Sequence, residues 1–205
     1  MTIGLTGKKR SGKSTVGEML ARFASADGFD VGTFAFADGV REMLLDLDPF
    51  VSSEYTSEAE PLSVVLMSYG GWEGAKDSPF GEDIRRLLQR LGTECLRKRD
   101  EDYWVDLLAE KVTHHEHLSR AWSPLSIITD VRFVNEADYN QRWLDGCLIL
   151  VVDPNSDDDD AHSSESLTGI TPDYTIVNDK TLGLESLEEQ VLALWEQIKE
   201  EVIGV

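Results

Sequence analysis

Gly7-Lys8-Lys9-Arg10-Ser11-Gly12-Lys13-Ser14 follows the spacing G-x-x-x-x-G-K-[ST] of a phosphate-binding loop. The backbone N–H groups of such a loop cradle nucleotide phosphates. Its lysine reaches the β/γ-phosphates, and the hydroxyl that follows ligates the Mg²⁺ neutralising them. Ahead of the loop, Thr2-Ile3-Gly4-Leu5-Thr6 reads as a short buried strand. Behind it, Val16, Met19, Leu20 and Phe23 recur at helical spacing. Strand, glycine loop and helix together are the context this motif requires. Gly7, Lys8, Lys9, Arg10, Ser11, Gly12, Lys13, Ser14 and Thr15 are therefore candidate nucleotide contacts. Lys13 is the expected catalytic cation and Ser14 a metal ligand. The bland alternative is an ordinary glycine-rich turn.

The rest of the chain repeats the alternation of strand and helix. Phe29–Phe36 predicts a second strand, and Val40, Met43, Leu44 and Leu47 the helix after it, with Asp38 at the junction as a candidate N-cap. Residues 49–80 are irregular, with a short helix expected around Leu62–Met67. Glu82–Arg97 predicts a helix with an apolar stripe of Ile84, Leu87, Leu88, Leu91 and Leu96, followed by a helix over Asp102–Val112. Leu125–Thr129, Cys147–Val152 and Tyr174–Val177 predict three more strands. Asn135–Leu144 and Leu184–Ile203 predict helices. Five strands separated by helices predict an α/β fold, a parallel sheet with helices on both faces. Ligands of such sheets bind beyond the carboxyl ends of the strands. Those ends carry the glycine loop, Asp38, Asp130-Val131-Arg132, Asp153 and Asn178-Asp179.

Charge narrows the function. A net charge of −20 over 205 residues argues against a nucleic-acid polymer as partner, since such binders rely on Lys and Arg at phosphates. The cations crowd into the glycine loop and into a segment holding Arg85, Arg86, Arg90, Arg97, Lys98 and Arg99. That concentration suits a small, highly charged anion. No run of eighteen apolar residues exists, so no membrane span is expected. The N-terminus reads directly into the first strand, so no signal peptide is expected. Cys95 and Cys147 read as buried thiols, and the chain reads as cytoplasmic.

Asp130 closes an apolar strand, as does the Asp that holds Mg²⁺ in many nucleotide enzymes; the alternative is a turn or cap residue. Arg132 stands where a planar, permanently charged donor would neutralise a transferred phosphoryl group. A surface pair with Glu136 is its alternative. Asp38 and Arg41 could orient an acceptor and grip its phosphate. Arg90 and Arg97, seven apart on one predicted helix, share a face, although Gly92-Thr93-Glu94 interrupts the helical pattern between them. Tyr103 and Trp104 could stack on a base, with core packing the default for Trp104. His114, His115 and His117 read as a solvated helix end. Asp157–Asp160 reads as a solvated loop.

These motifs resemble, in order and through nearly the whole chain, the bacteriophage deoxynucleoside monophosphate kinases, a branch of the P-loop nucleoside monophosphate kinases. The matching runs are Gly7–Ser14, Phe36-Ala37-Asp38 with Arg41-Glu42, and Leu88-Gln89-Arg90-Leu91-Gly92-Thr93-Glu94 with Arg97. Asp102-Tyr103-Trp104, Thr129-Asp130-Val131-Arg132-Phe133-Val134-Asn135-Glu136, His162-Ser163-Ser164-Glu165 and Ile176-Val177-Asn178-Asp179 complete them. The resemblance implies a single kinase domain. Its core would be 1–48 and 120–205, its acceptor-binding insert about 49–119, and its lid-like segment about 154–168. It implies γ-phosphoryl transfer from ATP, with Mg²⁺, to a deoxynucleoside 5′-monophosphate. Lys13, Ser14 and Asp130 would serve ATP and metal, Arg132 and Asp38 the transfer. Asp38, Arg41, Arg90, Glu94, Arg97, Tyr103, Trp104 and Arg132 would build the acceptor site. Asn178 and Asp179 would lie near adenine.

The segment after Asp153 holds no Arg or Lys before Lys180, where relatives often carry a lid arginine. The extra cations Lys8, Lys9 and Arg10, together with Arg132, are the expected compensation, and His162 is the nearby residue that could add a proton or a hydrogen bond. Two other readings compete: a different small-molecule kinase, such as one acting on dephospho-coenzyme A, or a nucleotide-binding switch. Against the switch, Asp130 is followed by Val131-Arg132-Phe133, without the glycine of the Asp-x-x-Gly pattern such proteins carry. The long C-terminal helix could pack on the sheet or pair two copies into a homodimer.

Overall fold

Thr2–Thr6 (β1) is buried along its whole length and lies at the centre of a five-stranded sheet. The other strands are Asp30–Phe34 (β2), Pro124–Val131, Cys147–Val152 and Tyr174–Val177. Phe50–Ser52 (β3) and Ala59–Pro61 (β4) form a separate antiparallel hairpin, so the last three sheet strands are β5, β6 and β7. The order is β2-β5-β1-β6-β7, with every pairing parallel. This computed structural model describes residues 1–55, 57–119, 123–155 and 169–203.

The chain divides into two compact units, Met1–Phe36 with Val105–Val205, and Ala37–Trp104. The first is a three-layer α/β unit. Side chains of β1 alternate faces. Ile3 and Leu5 join Lys13–Ala26 (α1) and Gly183–Ile198 (α8) through Val16, Leu20, Val191, Trp195 and Ile198, all fully buried. On the opposite face Gly4 lies under Asn140, where a Cβ would stand 3.0 Å from the carboxamide. Gly32 lies likewise under His115 of Tyr103–Leu118 (α6). Gly4 and Gly32 are small because other groups fill their places. Trp195 donates its indole N–H to Asp27 at 2.8 Å and takes the Phe29 ring edge-on.

Chain direction fixes where a ligand can sit. The crossover from β1 leaves toward β2, whereas the one from β6 leaves toward β7, on the other side. Adjacent strands with opposite crossovers leave a crevice beyond their carboxyl ends. The glycine loop follows β1 and Asp153 follows β6, so both stand at that crevice.

The second unit carries Phe36–Leu47 (α2) from Ala37 onward, the β3–β4 hairpin, Leu62–Ser68 (α3), Trp72–Lys76 (α4) and Gly81–Gln89 (α5). Its own buried residues include Val40, Leu44, Val51, Leu62, Val65, Phe80 and Ile84. Its bounds, 37 and 104, differ from the expected insert at 49–119. Val105, Leu108 and Val112 of α6 are buried, and His115 of the same helix lies on β2 of the sheet unit.

Several expectations shift locally. The second strand ends at Phe34 because Phe36 already opens α2, which puts Asp38 inside the first turn and not at the cap. The predicted helix over Glu82–Arg97 starts as α5 but winds as a π-helix through Arg90–Arg97. Of its expected stripe only Ile84 is fully buried. Asn135–Leu144 becomes Val134–Asp138 (α7) plus π-helical Tyr139–Trp143. Cys95 is exposed, contrary to its apolar surroundings, while Cys147 is buried. Burial pushes the Cys147 thiol up to about 12. β6 and β7 match their predicted bounds. Among the described residues no helix is long and apolar enough to cross a membrane.

Candidate phosphate-binding and transfer site

The loop after β1 turns on glycines with no room for a side chain. A Cβ on Gly7 would meet the Val151 carbonyl at 2.3 Å, and one on Gly12 the Asn178 amide nitrogen at 2.2 Å. Both glycines have positive φ, 146° and 101°, and Arg10 takes the left-handed region at 62°. Lys13 Nζ reaches back over the loop to the carbonyls of Gly7 and Lys8, at 2.7 Å each. Lys8, Lys9, Arg10 and Ser14 are exposed. No acidic residue stands in the first turn of α1, so the positive end of that helix dipole faces solvent uncompensated. Exposed cations beside a helix N-terminus are an arrangement that suits a polyanion.

Asp130 and Arg132 lie at the carboxyl end of β5, the strand next to β1. Gly17 of α1 approaches Thr129 closely enough that a Cβ would stand 3.2 Å from its methyl. The start of α1 is therefore held near the Asp130 end of β5. The Asp130 carboxylate accepts the backbone N–H of Phe36 at 2.7 Å, so it serves the start of α2 as a cap. The Arg132 side chain is exposed, and none of the described residues pairs with its guanidinium. Glu136, the surface partner of the alternative reading, is instead 2% exposed. Its carboxylate accepts the backbone N–H groups of Arg132 at 2.8 Å and Phe133 at 3.1 Å. This is one half of a capping box at α7, and it fixes the main chain from which Arg132 projects.

The loop after β7 is tied to the phosphate loop. Asn178 is buried and donates to the Ser11 carbonyl at 2.8 Å. Lys180 donates to the Arg10 carbonyl at 3.0 Å and pairs with Asp153 at 2.7 Å. The Lys180 bond, then the Asn155 N–H, hold the Asp153 carboxyl below the usual carboxylate range. Thr181, through its hydroxyl and its N–H, does the same for Asp179. The sequence placed Asn178 near a base; its side chain is committed to the loop. No spacing rule reaches a contact of 167 residues' separation.

The expected acceptor residues lie in the second unit. Arg41 pairs with Asp38 at 3.3 Å and Glu73 at 3.4 Å, and lies over the Trp72 ring at 5.9 Å. Lys76 also pairs with Glu73, and its bond lowers the Glu73 carboxyl. Trp72 and Glu73 were not anticipated, since α4 lies in the stretch that read as irregular. Arg90 stands 4.0 Å from Glu94. Arg90 is exposed and Arg97 half-buried: i→i+5 winding carries residues seven apart off a shared α-helical face. Trp104 is 3% exposed and donates its indole N–H to the Gly92 carbonyl at 2.7 Å, with Tyr103 edge-on at 5.0 Å. A ring so buried is core and offers no face to a base.

His115, expected to be solvated, is half-buried, with its Nε2 3.3 Å from the Asp30 carbonyl and its ring against Phe34. Among the described residues no cluster of three or more His, Cys, Asp or Glu could hold a metal. Mg²⁺ in nucleotide sites takes one or two protein ligands and completes its shell with phosphate oxygens and water. A hydroxyl and a carboxylate, as at Ser14 and Asp130, fit that donor set. Of the lid-like segment 154–168, residues 156–168 lie outside the described residues, with Asp157–Asp160 and His162 among them.

A family model described as deoxynucleotide monophosphate kinase matches residues 77–191, more than half of the chain. No curated protein matches its sequence. Among solved structures it is similar to a gluconokinase from Sinorhizobium meliloti, at 16% identity and a TM-score of 0.46, over 99% of this chain and 95% of that one. It is also similar to a mutant APS kinase of Mycobacterium tuberculosis, at 15% identity and a TM-score of 0.43, over 97% and 96%.

Proposed function

The chain belongs to the deoxynucleotide monophosphate kinase family, and from that premise we propose that it transfers the γ-phosphoryl group of ATP to a deoxynucleoside 5′-monophosphate, giving the diphosphate. One observation carries the reading beyond membership. The phosphate loop with Lys13 lies outside the matched residues 77–191, yet it follows β1, and β1 pairs with β5, the strand whose carboxyl end carries Asp130 and leads into Arg132.

Lys13 and the amides of Gly7–Thr15 hold the donor phosphates, with Lys8, Lys9 and Arg10 adding charge. Ser14 and Asp130 would hold Mg²⁺, whose chemistry when bound would be charge neutralisation at the phosphates. Phosphoryl transfer asks the protein mainly for alignment and charge neutralisation, and Arg132 supplies a rigid cation for the moving group. Asp38 and Arg41 orient the acceptor and its phosphate, with Arg90, Glu94, Arg97 and Tyr103 around it. Asp179 and its neighbours lie toward the base of ATP. The cytoplasm is the proposed setting.

The test is a panel of the four deoxynucleoside monophosphates, their ribose counterparts and dephospho-coenzyme A, each with ATP and Mg²⁺. Formation of deoxynucleoside diphosphate is expected. If no deoxynucleotide accepts phosphate while another acceptor does, or if ATP is only hydrolysed, the reading is wrong.

A further inference from the structure

Two successive carbonyls of the phosphate loop are gripped by one short segment. Asn178, 8% exposed, donates to the Ser11 carbonyl, and Lys180 donates to the Arg10 carbonyl at 3.0 Å. Asp153, whose side chain is 5% exposed, anchors the Lys180 ammonium. In a trans peptide the C=O and the next N–H point opposite ways. Holding the Ser11 carbonyl therefore aims the Gly12 N–H away from Asn178. Holding the Arg10 carbonyl does the same for the Ser11 N–H, which closes the loop's own turn onto Lys8 at 3.2 Å. Gly12 is shaped to this arrangement, since any Cβ would collide with the Asn178 amide.

We propose that Asn178 and Lys180 are positioning residues of the phosphate loop. They fix the Lys8–Ser11 turn and the direction of the Gly12 N–H before nucleotide arrives, and they act through the loop rather than by touching the base. The significance for turnover rests on the loop being the ATP site; the brace itself does not. It also gives the loop after β7 two tasks, since its neighbour Asp179 is assigned to the base side. Base occupancy and phosphate grip then meet in four residues, Asn178–Thr181.

The experiment compares the full chain with Asn178→Ala, Asn178→Asp and Lys180→Met. Hydrogen exchange is followed on peptides covering 7–15 in the free protein. Binding is measured with ATP and with inorganic tripolyphosphate, which has phosphates but no base. Loop amides should exchange about ten- to hundredfold faster in Asn178→Ala, the range one buried hydrogen bond commands, while peptides of α8 stay unchanged. ATP and tripolyphosphate should weaken by similar factors. Asn178→Asp, which sets a carboxylate oxygen against the Ser11 carbonyl, should match or exceed Asn178→Ala. Unchanged loop exchange overturns the proposal, and so does lost ATP affinity with tripolyphosphate binding intact. Should Asn178→Ala fail to fold, Lys180→Met carries the same comparison at the neighbouring carbonyl. A wild-type chain that binds neither ligand would refute the nucleotide site instead, leaving the exchange result to judge the brace alone.

Discussion

The Asp130 carboxylate accepts the N–H of Phe36 at 2.7 Å, joining the carboxyl end of β5 to the first turn of α2. The residue assigned to Mg²⁺ thus also holds a helix end, and deleting it would mix the two effects. Asp130→Asn separates them, because the amide oxygen keeps the acceptor while the charge is lost. Its stability should stay within about 0.5 kcal/mol of wild type, while kcat falls about a hundredfold or more with loss of metal assistance. Asp130→Ala should lose about 1 kcal/mol in addition. Thermal unfolding beside rates at varied Mg²⁺ reads both, and wild-type turnover in Asp130→Asn would remove the metal role.

Lys13 spends its ammonium on the Gly7 and Lys8 carbonyls at 2.7 Å. It touches the loop and the proposed phosphate position, not the apolar core. Lys13→Ala should lower kcat by about two to three orders of magnitude, as removal of a preorganised charge-stabilising donor does. Its far-UV circular dichroism should be unchanged. A variant with near-normal kcat would end the assignment.

Acid should weaken the fold through specific carboxylates. Asp27 accepts Lys199 at 2.6 Å and the Trp195 indole at 2.8 Å, and these bonds lower its folded pKa. Asp153, Asp179 and Glu201 are lowered by Lys180, Thr181 and Tyr174 respectively. A depressed carboxylate contributes stability above its unfolded value of about 4 and loses it as pH falls through the folded value. Lys199, raised mainly by the same Asp27, contributes below 10.5 and loses that contribution as pH climbs beyond. Melting temperature should therefore be level through neutral pH and fall below about pH 4. Asp27→Asn should show a shallower acid limb than wild type; an identical slope would discount the pair.

The sheet was legible where a strand is an apolar run with a polar or glycine stop, as β1 stops at Gly7 and β6 at Asp153, whereas the apolar run continues past the end of β2 into α2. Cys147–Val152, between Gly146 and Asp153, was bounded to the residue. The glycine loop announced itself by spacing. The contacts that orient the site were not legible, because each joins distant parts of the chain. Asn178 meets Ser11 across 167 residues, and Asp130 meets Phe36 across 94. Three-residue strands such as β3 and β4 are too short for alternation to register. Nor does side-chain order announce π-winding: Arg90 and Arg97 shared a face only on the assumption of an unbroken α-helix.

Arg132 and Glu136 offer the sharpest division between touching the reaction and aiming a residue at it. Arg132→Ala removes an exposed side chain that none of the described residues pairs with, so stability should move by no more than about 0.5 kcal/mol. Its kcat should fall about a thousandfold if it acts on the transferring group as an arginine finger does. A rise confined to the KM for ATP would make it a ground-state contact. Glu136 works from below, accepting the N–H groups of Arg132 and Phe133 while 2% exposed. Glu136→Ala should cost about 1–3 kcal/mol of stability by leaving those amides unsatisfied, and should lower kcat as well. Glu136→Gln retains an acceptor oxygen and should recover much of both. If Glu136→Ala destabilises the fold while kcat stays at the wild-type value, the main-chain hold on Arg132 serves the fold alone.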